Sequence, residues 1–365
     1  MRKTSGLWLT GEQWAPLRCT HGATIHALEP VKLDANEPRF IPAPVDLHVH
    51  GGGGADVMQG SDAIERVLVA HAKAGTGALL ATSVTAPLED IDRFLTDVDN
   101  VMSHPPNEGA ILLGAHLEGP FINPGKLGAQ PPYAVPIDVM RLEAWLSTGV
   151  VKVITYAPEL DPDNVVPALC LQYGVKAQLG HTLCSWSQAL QAINSGVGVT
   201  HLYNAMSGVS HREGGAAAAA LAYSDYAEII TDGIHVDQVA FDMAHRAIPR
   251  LYSVTDATAA AGMPDGRYKL GSLSIEKKGH TVLLPDGTLA GSCLTQLASL
   301  NVMASWGLSW LQISRLSSVY PSQWIGNKTL GTITQGAIAN WLELHGDNVV
   351  ALWLKGQRHL IGADN

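Results

Sequence analysis

The sequence predicts an α/β fold, a (β/α)8 barrel with a small β-sandwich domain built from both chain termini. Three observations support this. Strand-like apolar runs alternate with amphipathic helical stretches from residue 41 onward. The 365 residues are enough for one barrel and a smaller domain. Both ends of the chain consist of short strand-like segments separated by turns. We therefore predict a β domain over 1–40 and 330–365, and a barrel over 41–329.

Eight strand-like runs can be followed through the barrel region. They end in turn at His50, Val84, Glu118, Ala157, His181, His201, Gly233 and Asp256. Helix candidates between them span residues 62–74, 88–102, 137–146, 185–194 and 236–248. Eight β-then-α units are typical of a parallel barrel. The alternative, an open doubly wound sheet, is disfavoured because the first turn lacks a Gly-x-Gly-x-x-Gly sequence.

An insertion interrupts this alternation at residues 268–290. The turn Pro285-Asp286-Gly287 between two apolar runs predicts a β-hairpin there. The last barrel helices are expected between about residues 292 and 326. Earlier in the chain, residues 216–220 form a short alanine tract that favours helix.

Composition excludes several classes of partner. Apolar residues make up 46% of the chain, charged residues 15%, and the formal net charge is −10. This charge argues against nucleic acid or an anionic membrane surface as a partner. No run of about 18 apolar residues is present, and the four cysteines form no C-x-x-C pair. We expect a cytoplasmic protein that binds neither nucleic acid nor membranes.

Residues able to bind metals follow five of the eight runs. His48 and His50 are two residues apart, so they point to the same face at the end of a strand, and four glycines then end the run. The others are Glu118, His181, His201 and Asp256. Taken singly, each has an ordinary alternative, such as a turn carboxylate or a helix cap. Together they predict one metal site, because all C-terminal strand ends of a barrel face the same mouth.

Several motifs give the chain a family resemblance. They are residues 45–54, 114–120, 180–182, 200–206 (Thr-His-Leu-Tyr-Asn-Ala-Met), 232–237 and 254–258. With them, the chain resembles the N-acetylglucosamine-6-phosphate deacetylase family of the amidohydrolase superfamily. The resemblance implies that Glu118, His181 and His201 are the principal metal ligands. It also implies that His48 and His50 can bind a second ion, with Glu118 between the two. One or two divalent ions are expected, and the nitrogen and oxygen ligands suit zinc or iron.

The resemblance further implies the reaction. A bound metal lowers the pKa of water from about 15.7 to roughly 7. Asp256 would accept the proton of that water and deliver it to the departing amine, releasing acetate and an amino-sugar phosphate. Substrate contacts are implied at Ala129, Gln130, Asn204, Ala205, His235, Leu289, Ala290 and Gly291. His235 is expected to reach the neighbouring site in a homodimer.

Two substrate-binding predictions need separate comment. Arg212 carries a guanidinium group whose forked geometry suits phosphate, and we predict that it binds the phosphate of the substrate. Gln130 stands where many members of the family have a histidine. A glutamine amide can still donate a hydrogen bond to the oxyanion, but it cannot carry a proton.

Three other functions remain open at this stage. The same catalytic residues would serve an N-acetylgalactosamine-6-phosphate deacetylase equally well. A cyclic-amide hydrolase of the same superfamily would be indifferent to Arg212→Ala. A non-catalytic sugar-phosphate sensor is the third possibility, and Asp256 argues against it because binding alone needs no acid or base beside the metal.

Overall fold

The computed structural model describes residues 1–34 and 37–361. Residues 35, 36 and 362–365 of the predicted β domain lie outside the described residues. The strands are β1 Arg2–Thr10, β2 Gln13–His21, β3 Ile25–Pro30, β4 Arg39–Pro42, β5 Val45–Val49, β6 Gly51–Gly52, β7 Ala55–Asp56, β8 Ala78–Ser83, β9 Ile111–Glu118, β10 Val151–Tyr156, β11 Lys176–Leu179, β12 Gly198–Val199, β13 Tyr226–Ile230, β14 Arg250–Val254, β15 Gly266–Leu270, β16 Leu273–Lys278, β17 Thr281–Leu283, β18 Trp341–His345, β19 Asn348–Leu354 and β20 Gln357–Leu360.

Ten α-helices are present among the described residues. They are α1 Ser61–Lys73, α2 Leu88–Ser103, α3 Val139–Ser147, α4 Val165–Tyr173, α5 Trp186–Asn194, α6 Ala216–Tyr223, α7 Gln238–Ala247, α8 Gln296–Ser305, α9 Trp310–Ser314 and α10 Tyr320–Trp324. The five predicted helices match α1, α2, α3, α5 and α7 to within two residues. The alanine tract opens α6. A π-helical turn, Arg315–Val319, joins α9 to α10.

Eight parallel strands form the barrel, and the predicted fold class is confirmed. Their order is β14-β13-β12-β11-β10-β9-β8-β5. Nearly every residue of β5, β8 and β13 is buried, as expected when helices cover a parallel sheet. β14 and β5 close the ring through a bridge between Val49 and Ala257. Beside this bridge, the Asp46 carboxylate accepts a 2.7 Å hydrogen bond from the Thr255 hydroxyl.

The outer helices pack on the barrel through amphipathic faces. In α2, the buried residues Ile91, Phe94, Leu95, Val98 and Val101 recur at helical spacing, which predicts one apolar stripe. Helix α4 was not singled out from the sequence. Its residues are apolar on nearly every side, so it lacks the periodicity that identifies a helix in contact with solvent. Among the described residues, no helix is both long and apolar enough to cross a membrane.

Both ends of the chain contribute to a second sheet, as predicted. Its strands form one seven-stranded sheet in the order β20-β19-β18-β4-β1-β2-β3. β4 pairs in parallel with β1 and antiparallel with β18, so it joins the two terminal segments. Trp8 stacks on Phe40 with ring centroids 4.1 Å apart, and Trp341 packs edge-on against Trp8. This aromatic core is separate from the barrel core.

The four glycines after β5 were expected to end strand pairing, but the first two of them pair. Gly51–Gly52 and Ala55–Asp56 form a two-residue antiparallel hairpin. A Cβ on Gly51 would lie 2.5 Å from the Ala55 carbonyl oxygen and 2.6 Å from the Ala259 nitrogen. Only glycine therefore fits where this hairpin passes the loop after β14.

The predicted insertion is present as the three-stranded sheet β15-β16-β17. The Pro285-Asp286-Gly287 turn is closed by a bridge between Leu283 and Leu289. The Gly271 N–H donates a 2.7 Å hydrogen bond to the Asp56 carboxylate, which attaches the insertion to the loops at the barrel mouth. The insertion thus forms one wall of the mouth.

Candidate metal and catalytic site

Strand ends of the barrel bring the predicted metal-binding residues together. His48 lies in β5, His50 directly follows it, and Glu118 is the last residue of β9. His181, His201 and Asp256 follow β11, β12 and β14, and each adopts a positive φ of 47°, 26° and 50°, respectively. Non-glycine residues rarely adopt this conformation, and functional sites are where such strain concentrates. All six side chains are buried or nearly so.

One carboxylate lies between two pairs of imidazoles. Glu118 Oε1 lies 3.0 Å from His181 Nε2 and 2.8 Å from His201 Nε2. Glu118 Oε2 lies 3.2 Å from His50 Nε2 and 3.5 Å from His48 Nε2. We call the first group, Glu118–His181–His201, subsite 1, and the second, Glu118–His48–His50, subsite 2. Asp256 Oδ1 lies 3.2 Å from His50 Nε2, beside subsite 2.

The donor set fits a divalent cation. His50 Nδ1 donates to the Thr82 carbonyl and His181 Nδ1 donates to the Lys126 carbonyl, both at 2.9 Å. In the neutral imidazole, each Nε2 is therefore a bare lone pair pointing at carboxylate oxygens. Asp256 Oδ1 is buried without a hydrogen-bond donor among the described residues. Such a collection of buried acceptors requires protons or a cation, and nitrogen and oxygen ligands suit a divalent transition metal.

The pKa values of His50 and Asp256 follow from the contacts between these carboxylates and imidazoles. Burial lowers the pKa of His50, but the adjacent carboxylates of Asp256 and Glu118 outweigh burial and raise it to about 9. Burial raises the pKa of Asp256, yet the neighbouring His48 and His50 bring it down to about 2. Asp256 is therefore ionised at neutral pH in the metal-free protein.

These pKa values predict how the metal-free protein responds to pH. The pKa of His50 is about 9 in the folded chain and about 6.5 when unfolded, so its stabilising contribution is complete below pH 6.5 and lost as the pH rises to 9. We expect the melting temperature of chelator-treated protein to fall across this interval. Protein reloaded with zinc should change less, because metal replaces the protons. Equal pH profiles with and without metal, measured by calorimetry, would contradict the assignment.

Two buried residues lie behind the ligands. One of them is His116, which is fully buried. Its Nδ1 bonds the Leu47 carbonyl at 3.0 Å and its Nε2 the Thr155 hydroxyl at 2.7 Å. Glu228 was missed from the sequence. Its Oε2 lies 2.9 Å from His48 Nδ1, and its side chain is fully buried.

A cavity of about 250 Å³ opens onto the metal-binding cluster. Seven of the predicted substrate-binding residues line it: Ala129, Gln130, Asn204, Ala205, His235, Leu289 and Gly291. Leu270 and Thr288 of the insertion also line it and had not been predicted. Ala290 is completely buried behind this wall, and Arg212 lies outside the cavity on an exposed loop.

The side chain of His235 lines the cavity of its own chain. That it also reaches the neighbouring site in a homodimer stays a prediction. Its Nδ1 bonds the Asp232 carboxylate at 2.6 Å, and the other Asp232 oxygen accepts the backbone N–H groups of Ile234 and His235 at 2.8 Å. Asp232 thereby fixes the turn that follows β13 and orients the His235 ring.

The Gln130 amide is held by two hydrogen bonds inside the site. Its Nε2 donates to Glu118 Oε2, and its Oε1 accepts a 2.6 Å hydrogen bond from the Thr85 N–H. The amide is thus oriented by Thr85 and directed at the shared carboxylate. One N–H proton remains for the cavity.

Comparison with known families agrees with this geometry. The model of the amidohydrolase family matches residues 40–357 of the chain. The chain belongs to the amidohydrolase family. Within this family, the chain is 33% identical to the N-acetylgalactosamine-6-phosphate deacetylase of Escherichia coli O157:H7, over 96% of both chains. It is 32% identical to the N-acetylglucosamine-6-phosphate deacetylase of Vibrio furnissii, over 96% of this chain and 92% of the relative.

A solved structure extends the likeness to the fold of this amidohydrolase. The N-acetyl-D-glucosamine-6-phosphate deacetylase of Mycobacterium smegmatis was solved as an aspartate-to-alanine variant with N-acetyl-D-glucosamine-6-phosphate bound. It superimposes with a TM-score of 0.89 at 28% identity, covering 98% of this chain and 99% of that one. The two structures therefore share nearly their whole architecture.

Proposed function

We propose that this amidohydrolase deacetylates N-acetylglucosamine 6-phosphate, producing glucosamine 6-phosphate and acetate. The observation that carries the proposal is the convergence of subsite 1, subsite 2 and Asp256 at one cavity. The deacetylase relatives match nearly the full length of the chain, which supports the same chemistry. A sensor that only binds sugar phosphate would have no use for an ionised carboxylate beside the metal ligands.

The residues divide the chemistry between them. Glu118, His181 and His201 would hold a divalent ion, which would supply a water of lowered pKa and polarise the acetyl carbonyl. Asp256, ionised and without a donor on Oδ1, accepts a proton and passes it to the departing nitrogen, which leaves poorly as an anion. His235 and the remaining Gln130 proton face the cavity and can donate hydrogen bonds to the substrate.

Metal count and metal identity belong to the proposal. Subsite 2 offers two imidazoles and the second oxygen of Glu118, so we propose room for a second ion. Zinc and iron both suit this ligand set. All four cysteines are free thiols, which supports the proposed location in the reducing cytoplasm.

A homodimer is part of the same proposal. Apolar side chains that are about half exposed or more lie on the consecutive helices α5–α7 and the loops before them: Leu183, Trp186, Val209, Tyr223, Val239 and Met243. These helices are neighbours in the fold, and exposed apolar side chains grouped in this way are typical of protein–protein interfaces. Light scattering of the purified protein measures the oligomeric state directly.

The function is tested by acetate release from matched substrates. We expect turnover of N-acetylglucosamine 6-phosphate, with much lower kcat/KM for the sugar without phosphate. N-acetylgalactosamine 6-phosphate is the matched epimer, and a preference for it would transfer the assignment to the galacto deacetylase, as in the Escherichia coli relative. Hydrolysis of dihydroorotate or hydantoin instead would indicate a cyclic-amide hydrolase.

Arg212 gives a separate prediction. We propose that its guanidinium binds the substrate phosphate. Because Arg212 lies on an exposed loop outside the cavity, this contact requires either that the loop closes over the cavity or that Arg212 reaches the cavity of a second subunit. Arg212→Ala should raise KM about tenfold or more for the phosphorylated sugar, with little change in kcat. KM for the unphosphorylated sugar should stay constant. An unchanged KM for the phosphorylated sugar would remove Arg212 from the phosphate site.

A further inference from the structure

Glu228 is a carboxylate that the reaction described above does not use. It lies in the middle of β13, with a side chain that is completely buried beneath the metal-binding cluster. A buried carboxylate is costly unless positive groups and hydrogen-bond donors surround it. Both of its oxygens have hydrogen-bond donors, and these donors lie on three different strands or strand ends of the barrel.

The contacts of Glu228 are divided between its oxygens. Oε2 accepts from His48 Nδ1 at 2.9 Å and from the His201 backbone N–H at 3.3 Å. Oε1 accepts from the Tyr252 hydroxyl at 3.3 Å, and that hydroxyl accepts a 2.6 Å hydrogen bond from Gln178 Nε2. Gln178 thus donates to Tyr252 and Tyr252 donates to one oxygen of Glu228, while His48 donates to the other, so buried hydrogen bonds link Gln178 to His48 through Glu228.

His48 differs from the other metal-site histidines in what holds its Nδ1. His50 and His181 donate to neutral backbone carbonyls. His201 Nδ1 has no partner among the described residues. His48 alone donates to a carboxylate. This contact fixes the tautomer with a bare Nε2, which faces Glu118 Oε2 at 3.5 Å, and the negative charge makes that nitrogen a stronger metal ligand.

We propose that Glu228 is a positioning residue that makes His48 a ligand and thereby determines whether subsite 2 binds an ion. Subsite 1 does not depend on it in the same way, because its imidazoles contact Glu228 only through the backbone of His201. The inference rests on the proposed metal-dependent function. It adds that one residue outside the ligand set controls the second ion separately from the first.

The test is equilibrium zinc binding to chelator-treated protein, measured by calorimetry with a competing chelator and by elemental analysis. We expect wild type to bind two equivalents. Glu228→Gln should weaken one equivalent roughly 10-fold to 100-fold and leave the other unchanged, because an amide can occupy the same space without the charge. Retention of one tight equivalent also shows that the variant is folded.

Two further variants make the result decisive. Tyr252→Phe removes a contact to Oε1 but leaves the His48 contact, so both zinc affinities should stay within about threefold of wild type. His48→Ala should lose the same equivalent as Glu228→Gln, and the double variant should show no additional loss. The proposal is overturned if wild type binds one equivalent, if Glu228→Gln binds two as wild type does, or if it weakens both equally.

This measurement is independent of the substrate assignment. Zinc binding is measured without sugar, so a failure of the Glu228 proposal leaves acetate release by the wild-type protein unaffected. Conversely, a wild-type protein that binds two zinc ions in the expected manner but releases no acetate would refute the proposed function and leave the role of Glu228 standing.

Discussion

Asp256→Asn should reduce kcat for acetate release by roughly 1,000-fold while leaving the zinc content unchanged. The substitution keeps the size of the side chain but replaces an ionised oxygen with a group that cannot accept and return a proton at neutral pH. General acid–base catalysis contributes about 100-fold to 10,000-fold. Glu118, His181 and His201 remain in place, so subsite 1 keeps its ion.

The control for this variant is another aspartate that serves only the fold. Asp138 is the exposed N-cap of α3, where asparagine caps equally well, so Asp138→Asn should leave kcat and metal content unchanged. If Asp256→Asn retained more than a tenth of wild-type kcat, the proton would have to move through another group. Loss of zinc together with activity would instead make Asp256 a ligand more than a base.

His181→Ala should abolish acetate release by removing the ion from subsite 1. His181 Nε2 lies 3.0 Å from Glu118 Oε1, and its ring is fixed by the Lys126 carbonyl. Loss of a group that merely orients a ligand costs about 10-fold to 100-fold in metal affinity, so loss of the ligand itself should cost more than about 100-fold. The zinc content, measured by elemental analysis, and the rate of acetate release should fall together.

A histidine far from the ligand set provides the comparison for that variant. His104 is exposed at the C-terminal end of α2 and bonds the Asn100 carbonyl. His104→Ala should therefore keep both zinc and activity. Excess zinc should partly restore His181→Ala, because the remaining ligands still bind weakly. A His181→Ala protein with wild-type zinc content and rate would exclude His181 from the metal site.

The strand-end residues could be predicted because barrel geometry relates position in sequence to position in space. His48, His50, Glu118, His181, His201 and Asp256 each follow or end a run, and parallel strands bring these ends to one mouth. The barrel helices could be predicted where they are amphipathic. Helix α4, which is apolar on nearly all sides, offered no periodic pattern.

Glu228 was missed for a specific reason. The sequence predicted a strand over residues 228–232, whereas β13 spans Tyr226–Ile230. The predicted start put Glu228 at the bottom of the barrel, far from the mouth. Tyr226 is only half-buried, so the apolar run visible in the sequence begins after it. A shift of two residues therefore moved a buried carboxylate from the site to the opposite end.

Contacts between distant loops were beyond what the sequence could specify. The orientation of Gln130 depends on the Thr85 N–H, which belongs to the loop after another strand. Side-chain rotamers and loop paths of this kind are set by tertiary packing, which local patterns do not encode.

The terminal sheet has a consequence for the order in which the chain can fold during synthesis. β1, β2 and β4 leave the ribosome first, but β18–β20 emerge only after the entire barrel. Until then, the edge of β4 and the faces of Trp8 and Phe40 lack Trp341 as a partner. The nascent chain therefore carries an open, aromatic strand edge throughout barrel synthesis, and a chain truncated before residue 341 would carry it permanently.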